Sequence, residues 1–127
     1  MKAQVAMEFM IIFGLFLVGL TVTAISAWNS VASAERTSMD FEAKRITNMA
    51  TGRINTAYLE GNGFSINMTI PERIGTNDYL MFLEGSTLML QVNGILYSGR
   101  LLTPNITGSI SKGENMVKNV NGGIVIS

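Results

Sequence analysis

The sequence predicts an α+β protein, in which one long N-terminal α-helix is followed by a small antiparallel β-meander head that packs on the C-terminal half of the helix. Three observations predict this fold. An uncharged apolar run, Phe9–Ala34, comes first; apolar residues then recur at steps of three and four as far as Ala57; and from Phe64 apolar and polar residues alternate between turn dipeptides. The recurrence at steps of three and four indicates an amphipathic helix, and the alternation indicates half-buried strands.

The first half of the predicted helix is long and apolar enough to span a membrane. A helix needs about 20 apolar residues to cross the hydrocarbon core of a bilayer, and Phe9–Ala34 exceeds that length. One acidic residue, Glu8, stands at the N-terminal edge of the run. Because an ionisable group beside a span is costly and usually functional, Glu8 is the first candidate functional residue.

The second half of the helix carries one apolar stripe. Two pairs with the acid on the N-terminal side, Asp40 with Lys44 and Glu42 with Arg45, favour the helix, and no Pro interrupts it. We therefore predict one helix over residues 4–58, about 80 Å long at 1.5 Å per residue, whose second half lies outside the membrane. The stripe consists of Met39, Ala43, Ile46, Ala50, Ile54 and Ala57.

The rest of the chain predicts short strands separated by turns. Phe64–Ile70 alternates cleanly and ends at Pro71, which cannot donate to a strand ladder. Gly85-Ser86 and Asn93-Gly94 are two-residue hairpin signals, and Asn121-Gly122 is a further turn. The other predicted strands are Tyr79–Glu84, Thr87–Val92, Ile95–Ser98, Ile106–Ile110, Met116–Val120 and Gly123–Ile126.

The composition argues against catalysis and against nucleic-acid binding. Nine basic and nine acidic residues give a net charge of +0, so no basic patch is expected. The absence of His and Cys removes the commonest acid–base catalyst and all thiol chemistry. We expect a protein that is not an enzyme and needs no cofactor or metal. The acids of the head lack metal-ligand spacing; they are Glu60, Glu72, Asp78, Glu84 and Glu114.

The N-terminus carries a short motif, which reads K-A-Q-V-A-M-E-F from Lys2 to Phe9. Joined to the apolar run, it resembles the archaeal type IV pilin-like family, whose precursors carry a class III signal peptide. That family pattern is a basic residue, a small residue, Gln, one residue, Ser, one residue, Glu, then Phe or Tyr. Ala6 stands where Ser is usual, and the leader is short. The matching positions are Lys2, Ala3, Gln4, Glu8 and Phe9.

The resemblance implies a function and a route to it. A membrane aspartyl peptidase cuts before the Gln in that family, so the processing site here would be Ala3 and Gln4. The chain would then divide into a leader (1–3), a long helix (4–58) and a β-rich head (59–127). The implied protein is a pilin, a structural subunit that polymerises through its helix into a type IV pilus-like surface filament for adhesion. Its partners would be other copies of itself, the leader peptidase and the pilus assembly machinery.

Within that resemblance, Glu8 is the candidate assembly residue. Cleavage would create a free amine at Gln4, about one helical turn away, with which Glu8 of the same or a neighbouring subunit would pair. A partner offsets part of the cost of a buried charge, so such a pair favours one axial register. The alternative is that Glu8 lies near the lipid headgroups, held by the helix dipole. Phe9, Phe13 and Phe16 line one face at helical spacing and are candidates for packing in the filament core.

Two other interpretations of the N-terminus remain open. Ala32-Ser33-Ala34 is an acceptable site for secretory cleavage before Glu35, although the apolar run exceeds the usual 7–15 residues. The second interpretation is a single-pass membrane protein that has an extracellular binding head and does not form filaments. In the pilin interpretation the precursor lies in the cytoplasmic membrane with Lys2 inside and the head outside, as the positive-inside bias suggests.

Two sequons make the head a candidate glycoprotein. Asn67-Met68-Thr69 lies in the Phe64–Ile70 strand, with Asn67 on its polar face, and Asn105-Ile106-Thr107 follows Pro104 in a predicted loop. Both asparagines are therefore N-glycosylation candidates if the head faces outward.

Overall fold

The computed structural model describes residues 1–127 and contains one helix and seven strands. The helix, α1, comprises Lys2–Glu60, close to the predicted bounds. The strands are β1 (Ser65–Ile70), β2 (Tyr79–Glu84), β3 (Thr87–Val92), β4 (Ile95–Arg100), β5 (Ile106–Gly108), β6 (Gly113–Val120) and β7 (Gly123–Ile126). The predicted fold class is confirmed: the chain is α+β, with a long N-terminal helix and a small, largely antiparallel head packed on the helix.

The chain forms two compact units. The first comprises Met1–Ser38 and is entirely helical apart from Met1. The second comprises Met39–Ser127 and contains the last part of α1 together with all seven strands. Every residue of the first unit is exposed, whereas the second encloses a hydrophobic core.

One face of α1 and both sheets share the core of the second unit. Three of the buried helix residues are Ala, whose small side chains let the strands approach the helix closely. The helix contributes Ala43, Ile46, Thr47, Ala50, Ile54 and Ala57. The strands contribute Met68, Ile70, Tyr79, Leu88, Leu90, Val92, Tyr97, Val117, Ile124 and Ile126.

The predicted stripe therefore describes the buried face of α1, with two differences. Met39 at its start is only half-buried, and Thr47 is buried although it is polar. Burial of Thr47 is tolerated because its hydroxyl donates to the Ala43 carbonyl at 2.8 Å. Such a bond to the preceding turn satisfies the hydroxyl without any partner from the sheets.

Strands β2, β3 and β4 form an antiparallel meander in chain order. Both of its hairpins have the two-residue turns that the sequence predicts. Gly85 at the first turn has φ of 60°, and at the second Asn93 and Gly94 have φ of 49° and 76°. Two consecutive positive φ values match a type I′ turn, whose twist suits paired strands.

The other four strands form a second sheet in the order β1-β6-β7-β5. Its centre is the β6–β7 hairpin, where Asn121 and Gly122 supply the positive φ values of the predicted turn. Strand β1 pairs antiparallel with β6, from Ser65 opposite Lys118 onward. Strand β5 pairs parallel with β7, an arrangement for which the sequence carried no signal. The head thus consists of a three-stranded meander and a four-stranded sheet, in which β1 and β5 pair with strands that are distant in the sequence.

Two asparagine side chains join the sheets to the last part of α1. The Asn119 side chain, 1% exposed, donates to the carbonyls of Ala57 at 3.0 Å and Tyr58 at 3.2 Å. The last carbonyls of a helix have no partner within the helix, so β6 supplies one. Asn55, which is half-buried, makes a comparable contact with the other sheet: its amide donates to the Arg100 carbonyl at the end of β4 at 3.2 Å, and its oxygen accepts from the Leu102 backbone N–H at 2.9 Å.

Candidate assembly surface

The surface of the first unit is apolar on all sides. Its large apolar side chains are exposed around the whole helix rather than along one stripe. By length and composition α1 is apolar enough to cross a membrane, a test that signal sequences also pass. The structure therefore shows one long, apolar N-terminal helix that is compatible with a transmembrane helix. A helix that is apolar all round needs lipid or other helices around it.

The hydroxyl side chains of this helix bond to their own backbone. Thr21 donates to the Leu17 carbonyl at 2.9 Å, and Thr23 donates to the Gly19 carbonyl at 2.8 Å. Further along, Ser30 and Thr37 repeat the same bond to the fourth residue before them. Hydroxyls paired in this way can enter an apolar environment without leaving a polar group unsatisfied. These bonds were not predicted from the sequence, although Ser or Thr inside an apolar helix is their signal.

Gln4 and Glu8 lie one turn apart on the helix. Residues four apart on a helix are surface neighbours, with Cβ atoms about 5–6 Å apart. Both side chains are exposed, and Glu8 makes no ion pair within the chain. The carboxylate of Glu8 is therefore free to receive a cation from outside the chain or from a new terminus at Gln4.

The proposed processing site lies in the first turn of α1. Ala3 and Gln4 are helical, and the first backbone bond of that turn runs from the Val5 N–H to the Met1 carbonyl at 3.2 Å. If a peptidase that requires an extended substrate cut the chain here, this turn would first have to unwind. A terminal turn frays at little cost, and both residues are exposed.

The three candidate phenylalanines remain together on the exposed surface. The rings of Phe9 and Phe13 stack with centroids 6.0 Å apart and planes inclined by 11°. Phe16 follows three residues later and is exposed as well. Offset stacking of this kind is a favourable aromatic arrangement. It pre-forms a flat apolar surface directly after Glu8.

Gly14 and Gly19 have no packing role within the chain. A Cβ placed on either residue would meet no heavy atom within 4 Å. Glycines on an apolar helix allow another backbone to approach closely. The space beside these two positions is thus available to a neighbouring helix.

Both sequon asparagines of the head are exposed. Asn67 lies on β1 opposite Met116. Asn105 precedes β5, where its carbonyl accepts from the Ile124 N–H at 2.9 Å. Its side chain lies over Gly123, so close that a Cβ there would come within 3.0 Å of the Asn105 Nδ2 atom. Asn67 is accordingly the more accessible of the two candidate glycosylation sites.

The head holds no concentrated charge. No group of three or more acidic side chains is placed to hold a metal ion. Asp78 pairs with Lys112, whose hydrogen bond lowers the pKa of the Asp78 carboxyl, and the backbone N–H of Tyr79 donates to the same carboxylate at 3.0 Å. The Lys112 ammonium also lies 5.0 Å from the centroid of the Tyr79 ring. These contacts fasten the β1–β2 connection to the segment before β6.

Comparison of the chain with models of protein families, with curated proteins and with solved structures returns no match. The features that bear on function are therefore the N-terminal motif, the exposed apolar helix and the head that follows it.

Proposed function

We propose that this protein is a structural subunit of a type IV pilus-like filament on the cell surface, related to the archaeal pilins. The subunit enters the cytoplasmic membrane through the first half of α1, with its head outside. A leader peptidase removes residues 1–3, and the assembly machinery adds the subunit to a helical filament that serves in adhesion. The helices bundle in the filament core and the heads form its surface.

The observation that carries this proposal is Glu8 at the start of an apolar helix, without a partner in its own chain. A membrane anchor needs only the apolar run, and a carboxylate at its edge adds nothing to anchoring. A filament does need a feature that selects one axial register among equally apolar ones. Pairing of Glu8 with the Gln4 amine of the same or a neighbouring subunit would supply it, because an unpaired buried charge is strongly unfavourable.

Three features of the first unit support the proposal further. The stacked Phe9 and Phe13 rings offer a flat packing surface, and Gly14 and Gly19 leave room for a second helix. The threonine hydroxyls are satisfied within the helix, so they do not oppose burial among other helices. All of these features suit a helix that exchanges lipid for protein neighbours.

The test replaces Glu8 with Gln, which keeps its size and removes its charge. We expect Glu8→Gln to be inserted and processed normally but to assemble poorly, because each broken pair leaves an amine in an apolar core at about 3–5 kcal/mol. The matched control is Ile12→Val, one turn deeper, which should assemble normally because it costs only about 0.5–1.5 kcal/mol. The measurement is the yield of filaments sheared from cells, relative to membrane-bound subunit.

Equal yields from Glu8→Gln and the unchanged chain would contradict the register role and return Glu8 to a position among lipid headgroups. Absence of any filament from the unchanged chain, with the head still attached to the membrane, would instead favour a single-pass membrane protein with an extracellular binding domain.

A further inference from the structure

The outer face of the β2-β3-β4 sheet carries four large apolar side chains although nothing in the chain covers it. Side chains alternate along each strand, and the inward set includes Leu88, Leu90 and Tyr97 of the core. The outward set includes Leu80 on β2, 66% exposed, Phe82 on β2, 39% exposed, and Leu96 on β4, 54% exposed. Met89 lies between them on the central strand.

The strand register arranges this outer face in three rows. The first row is Leu80, Gln91 and Leu96; the second is Phe82, Met89 and Ser98; the third is Glu84, Thr87 and Arg100. Each row runs from β2 across β3 to β4. The first row thus places a leucine at both edges, and the third places an acid at one edge and a base at the other.

The two charges of the third row are unpaired within the chain. Glu84 and Arg100 are both exposed, and neither takes part in an ion pair. They sit on strands separated by β3, so their backbones are about 10 Å apart at the usual strand spacing. Both are therefore available to groups on a facing molecule.

The geometry points to a second copy of this chain as the partner of this face, related by a two-fold axis parallel to β3. Such an axis lays two identical faces together and brings β2 of one copy over β4 of the other. Glu84 then lies opposite Arg100 of the second copy, and Leu80 lies opposite Leu96. Both contacts occur twice, and Met89 faces its own counterpart. The face is thus complementary to itself in charge and in apolar surface, as a two-fold interface requires.

The size of the face indicates a weak contact that operates between tethered copies. Three strands of six residues cover roughly 300 Å². Stable complexes bury about 800 Å² per partner. Copies confined to one membrane meet at a high effective concentration, which makes such a contact significant. The inference does not depend on polymerisation through α1, because the face lies wholly in the second unit.

The test uses the full chain in membranes, before any filament assembles. The protein has no Cys, so a single introduced thiol reports one position. Met89→Cys lies beside the proposed axis, and packed sheets are about 10 Å apart, so a short bis-maleimide should link two copies. Val125→Cys, exposed on β7 in the other sheet and outside both sequons, is the matched control and should link far less.

Charge reversal supplies the decisive measurement. In the Met89→Cys background, we expect Glu84→Arg or Arg100→Glu to reduce linked dimer about tenfold, because each exposed pair contributes up to about fivefold and the interface contains two. The double variant, with both charges exchanged, should restore linking to within about twofold. Resistance of the head to protease checks that every variant is folded.

Equal linking through Val125→Cys and Met89→Cys would overturn the inference, as would a folded double variant that fails to recover. A partner of another kind on this face would give no Met89→Cys dimer and would also overturn it. None of these results touches Glu8, so failure here is distinct from failure of the proposed filament.

Discussion

At the residue scale, α1 and the β2-β3-β4 sheet approach each other closely at Gly99. A Cβ on Gly99 would lie 2.0 Å from the Thr51 Oγ1 atom and 3.0 Å from its Cβ atom. The same Thr51 hydroxyl is buried without a hydrogen-bond partner. Glycine on β4 therefore lets the helix approach the strand, at the cost of one unsatisfied hydroxyl.

Gly99→Ala should destabilise the head by about 1–3 kcal/mol, because the added methyl group overpacks a site without space. Thr51→Ala removes the Oγ1 atom, which lies nearest to that methyl, so the double variant should lose less stability than the two single variants together, by about 0.5–3 kcal/mol. Hydrogen exchange of the β3 and β4 amides, with the full chain in detergent, measures these free energies. Ser98→Ala, exposed on the same strand, is the control. Strictly additive losses would contradict the close contact.

A second residue-scale prediction concerns Tyr79. Burial raises the pKa of its hydroxyl from 10.0 to about 12, with a smaller contribution from the nearby Glu72 and Asp78 carboxylates. The hydroxyl donates to the Pro71 carbonyl, a bond that it loses on ionising. Because the folded pKa lies above the unfolded one, the stabilisation is complete below pH 10 and is lost as the pH rises toward 12.

Tyrosinate absorbance measures this titration directly. One tyrosine of the folded chain should ionise near pH 12, its signal should move to about pH 10 in denaturant, and Tyr79→Phe should remove it. Titration of all the tyrosines near pH 10 in the folded protein would show that the Tyr79 hydroxyl is not buried.

At the element scale, turn dipeptides and residue alternation predicted most of the strands, whereas pairing between strands distant in the sequence could not be predicted. The strands Tyr79–Glu84, Thr87–Val92 and Gly123–Ile126 begin and end as the sequence predicts, because two-residue turns fix hairpin register. The parallel pairing of β5 with β7 leaves no such local trace. Ile106–Ile110 accordingly shortens to Ile106–Gly108, where a Cβ on Gly108 would lie 2.1 Å from the Ile126 carbonyl oxygen.

The candidate site divides in the same way. The sequence placed Glu8, Phe9 and Phe13 on one helical segment, since that requires only helical spacing. The outer face of the β2-β3-β4 sheet could not be predicted from the sequence, because strand alternation does not show which face of a sheet the helix covers. That face became visible only through the exposure of Leu80 and Leu96.

The division between units predicts that the head folds alone. A fragment comprising residues 32–127 keeps the whole buried face of α1 and both sheets, so we expect a soluble, β-rich protein, monomeric at low micromolar concentration. Its stability should be modest, given a small core and no disulfide. Circular dichroism and size-exclusion chromatography provide the measurement.

The matched control is a fragment of residues 52–127, which lacks Ala43, Ile46 and Ala50 and should not fold. If both fragments folded equally well, the helix would not be part of the core. If the longer one formed long filaments, the apolar half of α1 would not be the assembly element.

At the scale of the whole molecule, apolar surface is divided unevenly. The first unit exposes all of its large apolar side chains, whereas in the second most of these side chains are buried or half-buried. The exposed apolar surface of the first unit therefore has to be covered, either by lipid or by other helices. The resemblance at the N-terminus and the exposed helix thus agree in requiring a partner for Phe9–Ala34.

Processing is the prediction that belongs to this scale. The K-A-Q-V-A-M-E-F motif predicts a mature chain that begins at Gln4. Intact mass or N-terminal sequencing of protein recovered from the cell surface provides the measurement. A mature chain beginning at Glu35 would refute the pilin proposal and indicate ordinary secretion, with Ala32-Ser33-Ala34 as the cleavage site.

The pairing of β1 with β6 has a consequence for the order of events during synthesis. Ser65 cannot meet Lys118 until nearly all of the chain has left the ribosome. At about 5–20 residues per second, the stretch between them takes roughly 3–10 s to make. During that interval the Ala57 and Tyr58 carbonyls at the end of α1 lack their partner, because Asn119 has not yet been synthesised. The head therefore closes last, and a chain that stops short of β6 would stay permanently open to proteolysis.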